Sequence, residues 1–534
     1  MSGYDVHHRF VNQKDLGMAE VYTNSDAKSV ITSLKFSKPL WDHQVSTLTR
    51  IIENKAKRWG LLFEPGGGKT LTTIALLKLI SRTKGLVPRV LILCPQGVRS
   101  VWLKQIAEEV SPRIQAQLQV LDGVKTKRAK QLKDASKKIF IASLDILNTD
   151  SFDIMLKMPW DVIVPDEFHN FKDPTAKRTK KLFKVVAANP NSFRFPLTGT
   201  PILNTPLDCY TLLKFLGVMK DSYTSFKLRY FEDANAGFAN KPWHFPKWVI
   251  RPGAEAELNT LIDSCCSRVL LEDCMDLPPL VRQEVLVPLT PEAARLYSDL
   301  AKHFVTDVLQ DAKKYISAEL VIEQTLRLQQ VANGIARCEE LRGDGTIKST
   351  TEHVPCGKYQ ALREQLEIIL ANPKNKVVIW SCWADTYGKI AEVVEDCGVF
   401  HTSITGLDTA KEKAAAVERF QTDPTCRVVI ANQQAGGEGI DLTAGNYAIY
   451  FSKNHRLGAD IQSQARTLRP GSERHKSIVR IDIISEGTVE EQITQALKDK
   501  KTVAELVLDI RRAHGLRPRR VEPKPDGRDG LKAA

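Results

Sequence analysis

The stretch Phe63-Glu64-Pro65-Gly66-Gly67-Gly68-Lys69-Thr70 decides how the chain is read. It follows the short apolar run Gly60–Phe63 and opens a helical pattern over Leu71–Ile80. Consecutive glycines let the backbone curl until its N–H groups face one point, and the positive end of the following helix aims there too. Such a loop takes phosphate. Gly66, Gly67 and Gly68 are placed to cradle the anion, Lys69 to reach the β- and γ-phosphates of a nucleotide, and Thr70 to ligate Mg²⁺. The full pattern has glycine where Phe63 stands, so this is a shortened Gly-x-Gly-Lys-Thr form. The bland alternative is a glycine-rich turn with a chance lysine. A strand-like run before it and a helix after it disfavour that.

Further along, Asp161-Val162-Ile163-Val164-Pro165-Asp166-Glu167-Phe168-His169 reads as an apolar strand ending in two carboxylates. Asp166 is suited to hold Mg²⁺ through water, and Glu167 to orient or deprotonate an attacking water. A carboxylate pair after a strand is common by chance, but downstream of a phosphate loop it is the layout of a P-loop ATPase. Pro196-Leu197-Thr198-Gly199-Thr200-Pro201 is a turn ahead of a helix, with hydroxyls placed to sense the γ-phosphate. Two later stretches, Gln433–Leu442 and Asp460–Gly471, bring a glycine-rich loop and the pair Arg466 and Arg469. Arginines at this spacing share one face of a helix. Most such pairs are solvated basic faces. After a glycine-rich loop in a second α/β unit, they stand where an ATPase places arginine fingers.

Around these stretches run two series of Val- and Ile-rich segments, each followed by a helical pattern. The first is Val90–Cys94, Ile139–Leu144 and Asp161–Pro165; the second is Lys376–Ser381, Arg427–Ala431, Tyr447–Ser452 and Ile478–Ile484. Near-continuous apolar strands alternating with helices indicate parallel sheets covered on both faces. The expected fold class is therefore α/β, with two lobes. Residues 211–340 read as mostly helical, as in Pro291–Asp311 and Ala318–Ala336. The break Asp276-Leu277-Pro278-Pro279 marks the lobe boundary, because a helix does not run easily into prolines. The expected division is a leader over 1–35, a first lobe over 36–275 with a helical insertion at about 211–265, and a second lobe over 276–505 with one at about 291–350. A basic tail over 506–534 has few core-forming residues and is expected to be disordered.

Bulk properties agree. A chain of 534 residues is too long for one core. A net charge of +13 favours a polyanionic partner. The ten cysteines form no C-x-x-C pair and read as reduced core residues rather than disulfides or a zinc site. The first residues lack the apolar segment of a signal peptide, and no apolar run has the roughly 20 residues needed to span a bilayer. No membrane association and a cytoplasmic location are expected.

Taken together, these residues resemble helicase superfamily 2, and within it the Swi/Snf-like DNA-dependent ATPases, from about Lys38 to Lys501. Leu40-Trp41-Asp42-His43-Gln44 looks like the adenine-reading glutamine segment, Gly66–Thr70 like motif I, and Leu93-Cys94-Pro95 through Trp102 like motif Ia. Asp166–His169 is similar to motif II in its DExH form, Leu197–Asn204 to motif III, Ala435–Thr443 to motif V, and Gln462–Gly471 to motif VI. Leu212–Leu216, Asp276–Pro279, Ala435–Gly439 and Gly487-Thr488-Val489-Glu490-Glu491 are the more specific marks of the Swi/Snf-like branch. The resemblance implies two RecA-like lobes and ATP with Mg²⁺ in the cleft between them. It implies nucleotide contacts from Gln44, Gly439 and Asp441, and a motor that tracks along duplex DNA, acting as a monomer. Departures are Phe63-Glu64-Pro65, Asp441 in place of asparagine, Lys453-Asn454-His455-Arg456 in place of a tryptophan-containing segment, and Ser472 in place of glutamine.

Two basic segments, Lys125–Lys138 and Lys172–Lys184, are candidates for phosphate contact without sequence reading, the second better placed beside motif II. His455 and Arg456 are weaker candidates. Trp102, Trp380 and Trp383 could stack on bases but, near apolar strands, read better as core. The expected activity is thus a DNA-dependent ATPase and translocase. A strand-separating DNA or RNA helicase is the first alternative, and an ATP-regulated DNA-binding scaffold without turnover is the second.

Overall fold

Runs of Val, Ile and Leu become the central strands of two separate parallel sheets. The structure is a computed structural model and describes residues 27–199, 206–233, 248–310, 318–341, 347–433, 439–454, 457–495 and 497–498. Thr200–Asn204, Gly436, Gly437, Glu438, His455, Arg456, most of the leader and the whole basic tail lie outside the described residues.

The first sheet comprises β1 (Gly60–Phe63), β2 (Val90–Cys94), β3 (Leu118–Leu121), β4 (Ile139–Ser143), β5 (Val162–Pro165) and β6 (Phe193–Arg194). Five of these hydrogen-bond in the order β3-β4-β2-β5-β6. Parallel bridges Arg58–Arg194 and Leu61–Leu197 carry the sheet on to β1. After a short antiparallel pair, β7 (Phe231–Asp233) and β8 (Trp248–Ile250), β9 (Cys266–Val269) pairs in parallel with β1. All five residues of β2 are buried because the sheet is covered twice. Leu91 and Leu93 enter one apolar cluster with Phe140, Ile163 and Phe168. Val90, Ile92 and Cys94 enter another with Leu76, Ile141 and Val164. Side chains alternate across a strand, so burial on both faces erases the polar half of the pattern. Each buried Val, Leu or Ile contributes about 1.5–3 kcal/mol.

The second sheet begins with β10 (Leu280–Val287). A hairpin, β11 (Ile335–Leu341) and β12 (Ile347–His353), is set apart from it. The sheet continues with β13 (Val377–Trp380), β14 (Phe400–Ile404), β15 (Cys426–Ala431), β16 (Tyr447–Tyr450) and β17 (Ile478–Ser485). Its order is β10-β17-β16-β13-β15-β14, every neighbour parallel. The α/β class with two parallel-sheet lobes is thus observed. The chain passes from one sheet to the other between Val269 and Leu280.

Reading 211–340 as mostly helical holds for the described residues but misses the strands there. Helices Ala254–Cys265, Pro291–Gln310 and Ala318–Ala332 are present, but β7 to β10 and the start of β11 also fall there. β10 is an edge strand whose middle residues Arg282, Gln283 and Glu284 are exposed, so it lacks the continuous apolar run of a central strand.

Two buried ionic networks brace the second lobe. Lys358, 0% exposed, donates from Nζ to both oxygens of Glu490 (3.2 and 2.9 Å) and to Asn333 Oδ1 (2.9 Å). Asn333 Nδ2 and the Ser485 N–H also donate to Glu490. The other network lies beneath the helix Leu457–Gln464. Arg480 grips Asp460 with two bonds (3.0 and 2.7 Å), donates to Asp482 (2.9 Å), and lies over the Tyr450 ring; Lys453 pairs with Asp482 at 3.2 Å. Lys453, one of the departures from the Swi/Snf-like pattern, is thereby a buried ion-pair member.

Candidate nucleotide site

Parallel strands point their carboxyl ends the same way, and ligands of α/β sheets gather there. In the first lobe β1 runs into Glu64–Thr70, β5 into Asp166, and the segment after β6 into Thr198 and Gly199. The phosphate loop has the backbone its glycines allow: φ is +97° at Gly66 and +77° at Gly68, both left-handed. The helix Lys69–Lys84 starts directly after it. Lys69 Nζ donates to the Phe63 carbonyl (2.9 Å), so its ammonium lies across the loop.

The helix Asp42–Glu53 grips this loop with successive side chains. His43 Nε2 donates to Gly67 O (2.9 Å), and Gln44 Nε2 donates to Gly68 O (3.1 Å) and Thr72 Oγ1 (3.2 Å). The Oε1 of Gln44 accepts the Trp41 N–H. Gln44 is 1% exposed and its carboxamide is committed to the loop and to its own helix start. Burial holds the His43 imidazole below its ordinary pKa, against the pull of Gly67 O and Asp42. Glu64 also ties inward, accepting the Leu271 N–H, and burial raises its carboxyl.

Asp166 is 3% exposed. Its Oδ1 accepts the Glu167 N–H and its Oδ2 the Trp102 indole N–H, each at 2.8 Å. Burial, then the charge of Glu167, pushes the Asp166 carboxyl up, opposed by Lys69 and these two bonds. Burial would raise Glu167 as well, but His169, with Nδ1 at 3.2 Å, and the charges of Lys69 and Arg466 outweigh it and hold the carboxylate well below its usual range. Glu167 itself adopts φ 49°, ψ 56°, a left-handed conformation uncommon for a side chain of this kind. Phe168 N–H donates to Leu197 O, stitching this turn to the Thr198–Gly199 segment. A Cβ at Gly199 would lie 2.9 Å from Pro65 Cδ, so that segment packs on the phosphate loop.

The second lobe meets the first at this place. Arg466 and Arg469 are not on one helix: the helix ends at Gln464, and both lie in the turns that follow. Pro470 disfavours helical backbone at the residue before it. They converge nonetheless, since Nη1 of each approaches Ile440 O, at 3.5 and 3.0 Å. A Cβ on Gly66 would lie 2.9 Å from Pro470 Cδ and 3.5 Å from Arg469 Cβ. A second contact sets Gly439 (φ +75°) against Gly97, Val98 and Val101. Asp441 is spent elsewhere, accepting from Gln421 Nε2 (3.0 Å) and the Thr443 N–H (3.0 Å). Ser472 is fully buried, and its hydroxyl has no hydrogen-bond partner among the described residues.

Lys69, Asp166, Glu167 and Arg466 are thus close enough to act on one another's charge, with Thr70 next to Lys69 at the helix start and Arg469 beside Gly66. The residue set suits a magnesium nucleotide. Curled glycines, a lysine, a hydroxyl at the helix start and a buried carboxylate pair are its usual donors, and no cluster of three metal-ligating side chains competes among the described residues. Sequence reasoning gave no role to His43, His169 or the Trp102 N–H. The His of Asp166–His169 was in plain view, and Trp102 closed the motif Ia-like stretch, but nothing in the sequence pointed to its bond with Asp166. Trp102 and Trp380 are wholly buried, which leaves them no face for a base. The helix Lys177–Ala188 turns Lys177, Lys180 and Lys184 to solvent and Leu182, Val185 and Val186 inward. No helix among the described residues is long and apolar enough to cross a membrane.

The family model described as SNF2-related domain matches residues 43–336, and that of the helicase conserved C-terminal domain matches residues 357–471. An ATP-dependent helicase of Mycoplasma pneumoniae is 22% identical over 479 residues, covering 88% of this chain and 43% of that protein. A DNA repair and recombination protein RAD54-like from Gallus gallus is 24% identical over 487 residues, covering 84% of this chain and 63% of that protein. The chain therefore spans less than two thirds of either relative. Among solved structures, the Sulfolobus solfataricus SWI2/SNF2 ATPase core in complex with dsDNA is 24% identical, with a TM-score of 0.40, over 88% of this chain and 93% of that one.

Proposed function

Because the chain belongs to the SNF2-related domain family, we propose that it is a motor that hydrolyses Mg·ATP and tracks along duplex DNA. The observation that carries this reading is that one cleft takes its loop and carboxylates from the first lobe and its arginines from the second. Hydrolysis and a change in lobe arrangement then depend on each other.

In this reading the N–H groups of Gly66 to Lys69 and the Lys69 ammonium bind the phosphates. Thr70 and Asp166 would hold Mg²⁺, which supplies neutralisation of the phosphate charge. Glu167, kept ionised by His169, Lys69 and Arg466, orients the attacking water and takes its proton. Arg466 and Arg469 stabilise charge developing on the transferred phosphoryl group, an effect worth about 10³–10⁵ in turnover elsewhere. His43 and Gln44 act through the loop, by fixing the carbonyls of Gly67 and Gly68 so that its N–H groups face inward. Duplex DNA is the partner best matched by the net charge of +13 and by the lysine face of the helix after motif II. In this reading the motor acts as a monomer inside the cell.

The test is steady-state ATP turnover without nucleic acid and with single-stranded DNA, duplex DNA and RNA. Strong stimulation by duplex DNA is expected, together with loss of turnover in Lys69→Ala. Stimulation by single strands or RNA alone would move the assignment to a strand-separating helicase. ATP-independent DNA binding with no turnover under any condition would leave a scaffold.

A further inference from the structure

We propose that Trp102 is a positioning residue for Asp166: its indole N–H fixes the orientation in which that carboxylate meets Mg²⁺, and the contact of its helix with Gly439 ties that orientation to the second lobe. The inference rests on the reading of the cleft as a magnesium-nucleotide site. Trp102 is 0% and Asp166 3% exposed, so bulk solvent competes little for this bond. The bond between Trp102 Nε1 and Asp166 Oδ2 is 2.8 Å. Among the described residues it is the one hydrogen bond to this carboxylate from another element, because Oδ1 takes the N–H of the adjacent residue. An indole has a single donor and no acceptor. Its direction is set by the ring, and the ring is set by the core between the helix Arg99–Glu109 and the sheet. A phenylalanine fills a similar apolar hole without the N–H, so core packing alone does not call for an indole whose donor reaches a carboxylate.

The same helix faces the second lobe. A Cβ at Gly439 would stand 3.2 Å from Gly97 O and 3.3 Å from Val101 Cγ2, and Val101 directly precedes Trp102. The contacts Gly439 to Val101, Val101 to Trp102 along the chain, and Trp102 to Asp166 form an unbroken series from one lobe to the metal-facing carboxylate of the other.

The experiment uses the full chain and two readouts: the Mg²⁺ concentration at half-maximal binding of a fluorescent ADP, and kcat and KM for ATP. Groups that orient metal ligands typically alter metal affinity or activity by about 10–100-fold when changed. Trp102→Phe is expected to raise the Mg²⁺ midpoint and lower kcat, each by about tenfold, with KM for ATP less affected. Site-specific replacement of Trp102 by benzothienylalanine, which keeps the bicyclic volume and exchanges N–H for sulfur, is expected to do the same. It keeps the test decisive should the smaller ring disturb folding. Val101→Ala, which thins the contact with Gly439 and leaves the indole, is expected to shift the midpoint in the same direction by a smaller factor. An isostere protein with the parent's midpoint and kcat would overturn the positioning role, and a parental midpoint in Val101→Ala would overturn the link to the second lobe. A parent that neither binds Mg·ADP nor hydrolyses ATP would instead overturn the nucleotide reading itself.

Discussion

Replacing Lys358 by methionine removes one charge from the innermost ionic contact of the second lobe. The lysine is 0% exposed, its partner Glu490 5%, and Asn333 between them 0%. Methionine matches the length of the aliphatic stem but strips Glu490 of its countercharge and Asn333 Oδ1 of its donor. Glu490 keeps the Asn333 amide and the Ser485 N–H, so its hydrogen bonds are not all lost. Removing one partner of a buried pair costs about 3–5 kcal/mol, chiefly from the stranded charge. In a unit of the second lobe's size this is a fall in melting temperature of roughly 6–20 °C. The assay is urea unfolding followed by hydrogen exchange of peptides from β13 and β17, which separates this lobe from the first. The double variant Lys358→Met/Glu490→Leu removes the stranded charge but leaves the Asn333 amide and the Ser485 N–H without this acceptor, so it is expected to recover part of the loss and not all of it. A single variant within about 1 kcal/mol of the parent would refute the reasoning, as would a double variant no more stable than the single.

Three further outcomes follow from the cleft. Glu167→Gln is expected to bind Mg·ATP like the parent and to lose at least about 100-fold in turnover, as removal of a catalytic base does; a smaller loss in single-turnover assays would assign the water to another group. Gly66→Ala places a Cβ at φ +97° and 2.9 Å from Pro470 Cδ, so KM for ATP should rise and kcat fall while the far-ultraviolet circular dichroism stays parental. Loop stability should depend on pH through His43. Its pKa is lowered on folding, so the unfolded chain takes up the proton first, and the His43 contribution is lost as pH falls below the ordinary imidazole value of about 6.5 toward the depressed folded value. His43→Asn should flatten the fall in melting temperature over that window without abolishing it, because His475 is lowered in the same direction. An unchanged slope would exclude His43 as its source.

What the sequence disclosed and what it withheld divide along physical lines. The phosphate loop and the Asp166–Glu167 turn are local: contiguous residues carry the chemistry, and the strand and helix that present them adjoin. β2, β5, β13 and β16 were legible because burial on both faces makes them continuously apolar. Strands at the margins escaped notice. Among the described residues β3 pairs with β4 alone, and β10 lies at a sheet edge, so polar residues interrupt both. The convergence of Arg466 and Arg469 was read from helical spacing, whereas turns around Pro470 and Gly471 produce it. The grip of Gln44 on Gly68 and of Trp102 on Asp166 joins residues 24 and 64 positions apart, and no periodicity encodes such a bond.

The left-handed backbone at Glu167 bears on how the protein could be improved in the laboratory. A non-glycine residue at φ 49° carries strain of about 1–3 kcal/mol, which glycine escapes and asparagine partly escapes. A library screened for heat resistance would enrich those two residues at 167, and one screened for turnover would retain glutamate. The two screens would pull one position in opposite directions, and a thermostable variant recovered without an activity filter would be most suspect there.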